Sequence, residues 1–117
     1  MRVKGLKAVH NLFSGGEAFF IYPFRVVYTR RHGNAMQPVR LLVSVSRRNF
    51  KHAVDRNLLK RRIKEGWRKN IAAADKKLNN VDVGLVYVSK KIETFQPLED
   101  KIILVIERLM KLNEGDQ

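Results

Sequence analysis

The chain has 117 residues, 44% of them apolar, which is about one domain's worth of sequence with enough apolar side chain for a single core. Its 24 Lys and Arg against 11 Asp and Glu leave a net charge of +13, while the apolar fraction is too high for a disordered basic tail. With no Cys and three His, disulfide scaffolds, thiolate metal sites and zinc fingers are excluded.

The opening stretch, MRVKGLKAVHNLFSGG, is basic without a continuous apolar run, so no signal peptide is read there. Leu6, Val9, Leu12 and Phe13 recur at helical spacing, and Gly15-Gly16 stops that predicted helix. Phe19 to Arg30 is rich in aromatic and β-branched residues and reads as strand. Pro23 inside it implies an edge position, a bend or two short strands. Arg31 to Gln37, with Gly33-Asn34, reads as a turn or loop. Val39 to Ser46 is a second strand, and its consecutive Leu41, Leu42 and Val43 predict a central one, apolar on both faces.

Asp55 to Ala74 is a long predicted helix with Gly66 as its weak point. Val81 to Ser89 is a third strand, within which Asp82 is expected to face solvent. Pro97 suits the first turn of a last helix. That helix carries an apolar stripe of Leu98, Ile102, Val105, Ile106, Leu109 and Leu112, with the tail 113–117 fraying. The longest apolar run, Ile102 to Ile106, is too short to span a membrane, so a soluble, cytoplasmic protein is expected. No repeat or linker interrupts the chain, so residues 1–117 are read as one domain. The element order implies an α+β sandwich with one sheet and helices packed on it. The strand–helix–strand unit from 39 to 89 permits parallel strands joined, by default, through a right-handed crossover.

Charge is concentrated between Arg47 and Lys69. Arg47, Arg48, Lys51, Arg56, Lys60, Arg61, Arg62, Lys64, Arg68 and Lys69 are opposed there only by Asp55 and Glu65, a local balance of +8. On a helical wheel with Asn57 at zero, Lys60, Arg61, Lys64 and Arg68 fall near about 300°, 40°, 340° and 20°. Leu59, Ile63 and Trp67 fall on the other side, near about 200°, 240° and 280°. Four cations on one arc repel one another. That arrangement is expected of a surface that meets a polyanion, with nucleic acid the reading that fits best. Asn57 on the same arc can hydrogen-bond a phosphate, a ribose or a base edge. Aromatics cluster early in the chain, and Phe13 and Tyr28 are expected on a ligand-facing surface, where unpaired bases stack. His10, His32 and His52 have no carboxylate-rich spacing around them, so a self-sufficient protein nuclease is not expected.

The run Ser44-Val45-Ser46-Arg47-Arg48, followed by Asn49 to Asp55 and then Arg56-Asn57-Leu58-Leu59-Lys60-Arg61-Arg62-Ile63-Lys64-Glu65, resembles the bacterial ribonuclease P protein family. That family has a strand ending in S-V-S-K-K and then a helix R-N-R-x-K-R-x-x-R-E. The resemblance spans most of residues 6 to 110. Leu58 stands where the family has a second Arg, Lys64 where it has a later Arg, and Val9 where an aromatic is common.

The resemblance implies a two-layer α-β sandwich in the order α-β-β-β-α-β-α, similar to the second domain of a small-subunit ribosomal protein. It also implies a left-handed βαβ crossover, against the default. It implies a protein subunit that assists a catalytic RNA in removing the 5′ leader of precursor tRNA. The implied cofactors are that RNA subunit and Mg²⁺ held mainly by the RNA, and no membrane or obligate protein partner is implied. Arg56, Asn57, Lys60, Arg61 and Lys64 match the signature helix, and Arg47 and Arg48 match the basic pair. Lys51, His52 and Arg68 extend the same RNA-binding surface. Val9, Phe13, Tyr28 and Ser44 match leader-cleft positions. The alternatives are another RNA-binding protein, such as a ribosomal protein or assembly factor, and, less well supported by the narrow apolar face, a membrane-surface protein.

Overall fold

A computed structural model describes residues 15–31 and 36–115. The predicted first helix, with Val9 and Phe13, lies outside the described residues. The aromatic stretch divides into β1 (Glu17–Ile21) and β2 (Phe24–Arg30), an antiparallel hairpin that turns at Tyr22-Pro23. The proline therefore breaks the segment into two short strands. β3 (Arg40–Val45), α1 (Ala53–Ile71), a short 3-10 turn (Asp75–Leu78), β4 (Val81–Tyr87) and α2 (Phe95–Gly115) follow. None of the described helices is long and apolar enough to cross a membrane.

The four strands form one sheet in the order β1-β2-β4-β3, with β4 antiparallel to β2 and parallel to β3. This corrects the expectation for β3, which is an edge strand; β4 is the central one. Burial in β3 alternates, with Leu41, Val43 and Val45 buried and Leu42 and Ser44 half-buried. Its apolar run therefore reflects one buried face and one partly covered face. β4, by contrast, is buried at every position except Val86.

Successive strand residues point to opposite faces. Phe24 and Val26 of β2, Val83, Leu85 and Tyr87 of β4 and Val43 and Val45 of β3 share one face. They pack there with Leu59, Ile63 and Trp67 of α1 and Leu98, Ile102, Val105 and Leu109 of α2. Both described helices thus lie on one side of the sheet, which gives the expected α-β sandwich. α1 and α2 meet closely at Gly66, where an added Cβ would come within 2.9 Å of Ile102 Cδ1 and 3.6 Å of Glu99 Cα. The glycine that read as a weakness in a helix is the point of closest interhelical approach.

α2 runs through Gly115, beyond the predicted end at Leu112, and the Asn113 side chain links that last turn to its neighbours. It accepts from Arg30 Nη2 and donates to the Lys77 carbonyl. Asn80 takes positive φ (66°), which Asn tolerates. From there it holds the start of β4, donating to the Gln37 carbonyl at 2.8 Å and accepting the Gln37 amide on its side-chain oxygen at 2.9 Å.

Candidate nucleic-acid interface

The connector between β3 and α1 is rigid although it carries much of the positive charge. Phe50 is buried in the core beside the Tyr87 ring, with centroids 6.1 Å apart. Ser46 Oγ accepts the Arg48 amide at 3.0 Å, and the Ser46 carbonyl accepts the Phe50 amide at 3.1 Å. Arg56 Nη1 donates to the carbonyls of Phe50 (2.8 Å) and Lys51 (3.0 Å). These bonds fix the backbone while Arg47, Arg48, Lys51 and His52 remain exposed. His52 is the residue preceding α1, and its carbonyl accepts the amides of Asp55 and Arg56.

Arg56 of the signature turns inward, onto the carbonyls of the connector. Its wheel angle, about 260°, lies inside the buried stripe rather than on the exposed arc. That angle was available from the sequence and would have separated it from its neighbours. Arg62, on the opposite flank, donates to the Glu93 carbonyl at 2.6 Å and ties α1 to the segment before α2.

Asn57 and Arg61 are exposed, while Lys60 and Lys64 are half-buried, and all four stay on the predicted arc. Toward the helix C-terminus the charge is internally compensated. Arg68 pairs with Glu65 through bonds of 3.0 and 2.5 Å, which lowers the Glu65 pKa and raises that of Arg68, the hydrogen bond between them being the main cause. Lys69 lies 3.7 Å from Glu99 and over the Phe95 ring. The ridge is therefore strongest at its connector end, where the positive pole of the helix dipole adds to it.

Of the four cleft residues, Val9 and Phe13 lie outside the described residues, and the other two, Tyr28 and Ser44, are not brought together. Tyr28 is aligned with Val83 and Ser44 with Val86; those two β4 positions are three apart, so Tyr28 and Ser44 point to opposite faces. Tyr28 is on the helix side, where its hydroxyl donates to Glu17 Oε2 at 2.9 Å and its ring lies 5.9 Å from that of Phe19. It borders a cavity of about 220 Å³ that Arg30, Leu109 and Asn113 also line. Ser44 is on the opposite face of the sheet. Among the described residues the most exposed aromatics are instead Phe20 (58%) and Tyr22 (57%), which the sequence did not single out.

Asp82 is not a solvent-facing carboxylate. It is 3% exposed and is held by Arg40 through Nε at 2.7 Å and Nη2 at 2.6 Å, with Arg31 Nε at 3.3 Å. The hydrogen bond that Arg40 donates to Asp82 is the main cause of its raised pKa, whereas desolvation lowers that of Arg31. Among the described residues no group of three or more His, Asp and Glu side chains is arranged to hold a metal ion.

A family model described as Ribonuclease P matches residues 1–109. The ribonuclease P protein component of Porphyromonas gingivalis is 39% identical over 62 residues, covering 53% of this chain and 45% of the relative. That of Nitrosococcus oceani is 36% identical over 58 residues, covering 50% and 46%. The matched stretch thus spans about half the length of these relatives. In fold, the chain is similar to the RNase P protein of Thermotoga maritima, with a TM-score of 0.76 at 21% identity over 92% of this chain and 96% of that one. It is likewise similar to the Staphylococcus aureus RNase P protein, with a TM-score of 0.72 at 20% identity over 93% and 96%.

Proposed function

The chain belongs to the ribonuclease P protein family, and from that membership we propose that it is the protein subunit of a ribonuclease P, working in the cytoplasm with a catalytic RNA to remove the 5′ leader of precursor tRNA. The observation that carries this reading is the basic connector and the start of α1, where Arg47, Arg48, Lys51, Asn57, Lys60 and Arg61 are displayed from a backbone fixed by Phe50, Ser46 and Arg56. A rigid array of cations binds phosphates without first losing conformational entropy to order itself. Asn57 adds a polar group that can select a ribose or base edge.

The protein's share of the reaction is binding and orientation. Its cations neutralise the phosphates of the RNA subunit where the two meet, lowering the repulsion between that RNA and an incoming precursor tRNA. Mg²⁺, bound mainly by the RNA, would supply the Lewis-acid chemistry for phosphodiester cleavage. No step is assigned to a side chain of this chain.

Reconstitution tests the proposal. The protein is added to a bacterial ribonuclease P RNA and precursor tRNA at low Mg²⁺, where the RNA alone cleaves poorly, and leader release is followed. Stimulated cleavage at the mature 5′ end is expected. No stimulation, with the RNA shown to be active at high Mg²⁺, contradicts it and favours a different RNA partner.

A further inference from the structure

The exposed arc of α1 is not cationic across its whole width. On the same wheel, Val54, Glu65 and Leu58 fall near about 60°, 80° and 100°, to one side of Asn57, while Lys60 and Lys64 lie to the other. The first flank carries no net charge, because Glu65 is taken up by Arg68 and the other two are apolar. Val54 is 76% exposed, the most exposed large apolar side chain among the described residues, and Leu58 is half-buried. Four positions apart, they are neighbours on the helix surface. Arg62, at the edge of this flank, donates to the Glu93 carbonyl and so draws the chain at exposed Ile92 up to the same side of the helix.

Single exposed apolar side chains are ordinary on protein surfaces. These two adjoin the most cationic stretch of the chain, with Asn57 and Arg61 exposed beside them and Lys51 and His52 exposed just before the helix. An exposed β-branched valine in the first turn adds nothing to helix stability. Burial against a partner would give the pair a favourable free energy. The surrounding charge selects a polyanion as that partner. The parts of a nucleic acid that an apolar side chain can cover are its sugars and base edges, not its phosphates. In A-form RNA these lie in the wide, shallow minor groove, which also displays the 2′-hydroxyls that Asn57 can bond. The helix thus presents three parallel stripes, apolar, amide and cationic, that match a groove floor bordered by a row of phosphates.

We propose that Val54 and Leu58 make an apolar contact with the ribose and base-edge surface of a minor groove in the ribonuclease P RNA subunit. Leu58 thereby makes a non-ionic contact at the position where the signature helix it resembles has a second Arg. The proposal rests on the ribonuclease P reading for the identity of the RNA.

Salt separates ionic contacts from apolar ones, because only the ionic contacts release counterions. Affinity for a ribonuclease P RNA that the wild-type protein activates is measured over a range of monovalent salt. Val54→Ala and Leu58→Ala are each expected to bind about threefold more weakly, and the double variant roughly tenfold, all with the wild-type salt slope. Val54→Ala replaces an exposed side chain by a better helix former, so its melting temperature should not fall, which keeps a binding loss apart from a folding loss. Leu58→Met retains the apolar area and should bind nearly as wild type does. Leu58→Arg sets a charge against the sugars and is expected to weaken binding with the slope unchanged. Wild-type affinity in the double Ala variant overturns the contact and leaves the patch to a protein partner. Tighter binding by Leu58→Arg, with a slope steeper by about 0.9, also overturns it, by placing a phosphate at that position.

Cleavage of precursor tRNA keeps this contact apart from the broader reading. Stimulation by wild type, together with full RNA affinity in the double Ala variant, contradicts the contact alone. No stimulation by wild type contradicts the ribonuclease P reading and, with it, the RNA named here.

Discussion

Arg40 and Asp82 lie opposite each other on the parallel strands β3 and β4 and make a two-pronged ion pair, with N–O distances of 2.7 and 2.6 Å, across the edge of the sheet. Arg31 closes on the same carboxylate from the end of β2. One buried acid therefore holds three strands together at the end of the sheet away from the basic connector. Asp82→Ala strands two largely buried guanidinium groups, and it is expected to cost about 3 kcal/mol, seen as a lowered urea midpoint. Asp82→Leu combined with Arg31→Met and Arg40→Met should recover most of that loss, because it removes the charges in place of orphaning them. A single variant as stable as wild type would show that the pair does not bear on the sheet.

Gly66 sets the distance between α1 and α2. In an exposed helix, Gly66→Ala would stabilise by about 1 kcal/mol. Here the new methyl meets fully buried Ile102, so a net loss of about 1–2 kcal/mol is expected. Ile102→Val in the same chain should restore part of it. Thermal melts of the two single variants and the double variant read this directly.

The elements were legible in the sequence and the pairings were not. Leu59, Ile63 and Trp67 recur at helical spacing and do face the core, and Pro23 does break its strand. The position of β3 was misread because Leu41-Leu42-Val43 looks buried on both faces; only the pairing of β4 with both neighbours shows which strand is central. Asp82 misled for a related reason. A carboxylate between Val81 and Val83 reads as the wet side of a strand, and its partner Arg40 is 42 positions away. The exposed arc of α1 was legible from the wheel. The loss of Arg68 to Glu65 needed side-chain geometry, since the two wheel angles differ by about 60°, within reach of two long side chains.

Arg56 and the pair Lys60 and Arg61 should separate in their effects. Arg56 braces the connector through two carbonyls, so Arg56→Gln is expected to cost about 1 kcal/mol of stability and to weaken RNA binding by loosening the frame of Arg47 and Arg48. Lys60→Ala with Arg61→Ala should leave the melting temperature nearly unchanged and weaken RNA binding roughly tenfold by removing phosphate contacts. Matched melting and binding measurements on both variants check this; an Arg56 variant with wild-type stability would remove its bracing role.

Tyr87 gives the fold an alkaline limit. Burial holds its hydroxyl above the usual tyrosine pKa, and the hydroxyl donates to the Lys91 carbonyl at 2.5 Å. The folded chain resists ionising Tyr87 more than the unfolded chain does. Its contribution is therefore complete below about pH 10 and is lost as pH rises further. Tyr87→Phe should show a shallower fall in urea midpoint between about pH 9 and 11 than wild type does.

The central claim is that the exposed cations of the connector and α1 meet RNA phosphates. The measurement that addresses it most directly is the affinity of the protein for ribonuclease P RNA over a range of monovalent salt. With about six cations on phosphates, log affinity should fall against log salt with a slope near −4 to −5, and Lys60→Ala with Arg61→Ala should reduce that slope by about 1.5. A slope near zero, or one that the double variant leaves unchanged, would contradict the account.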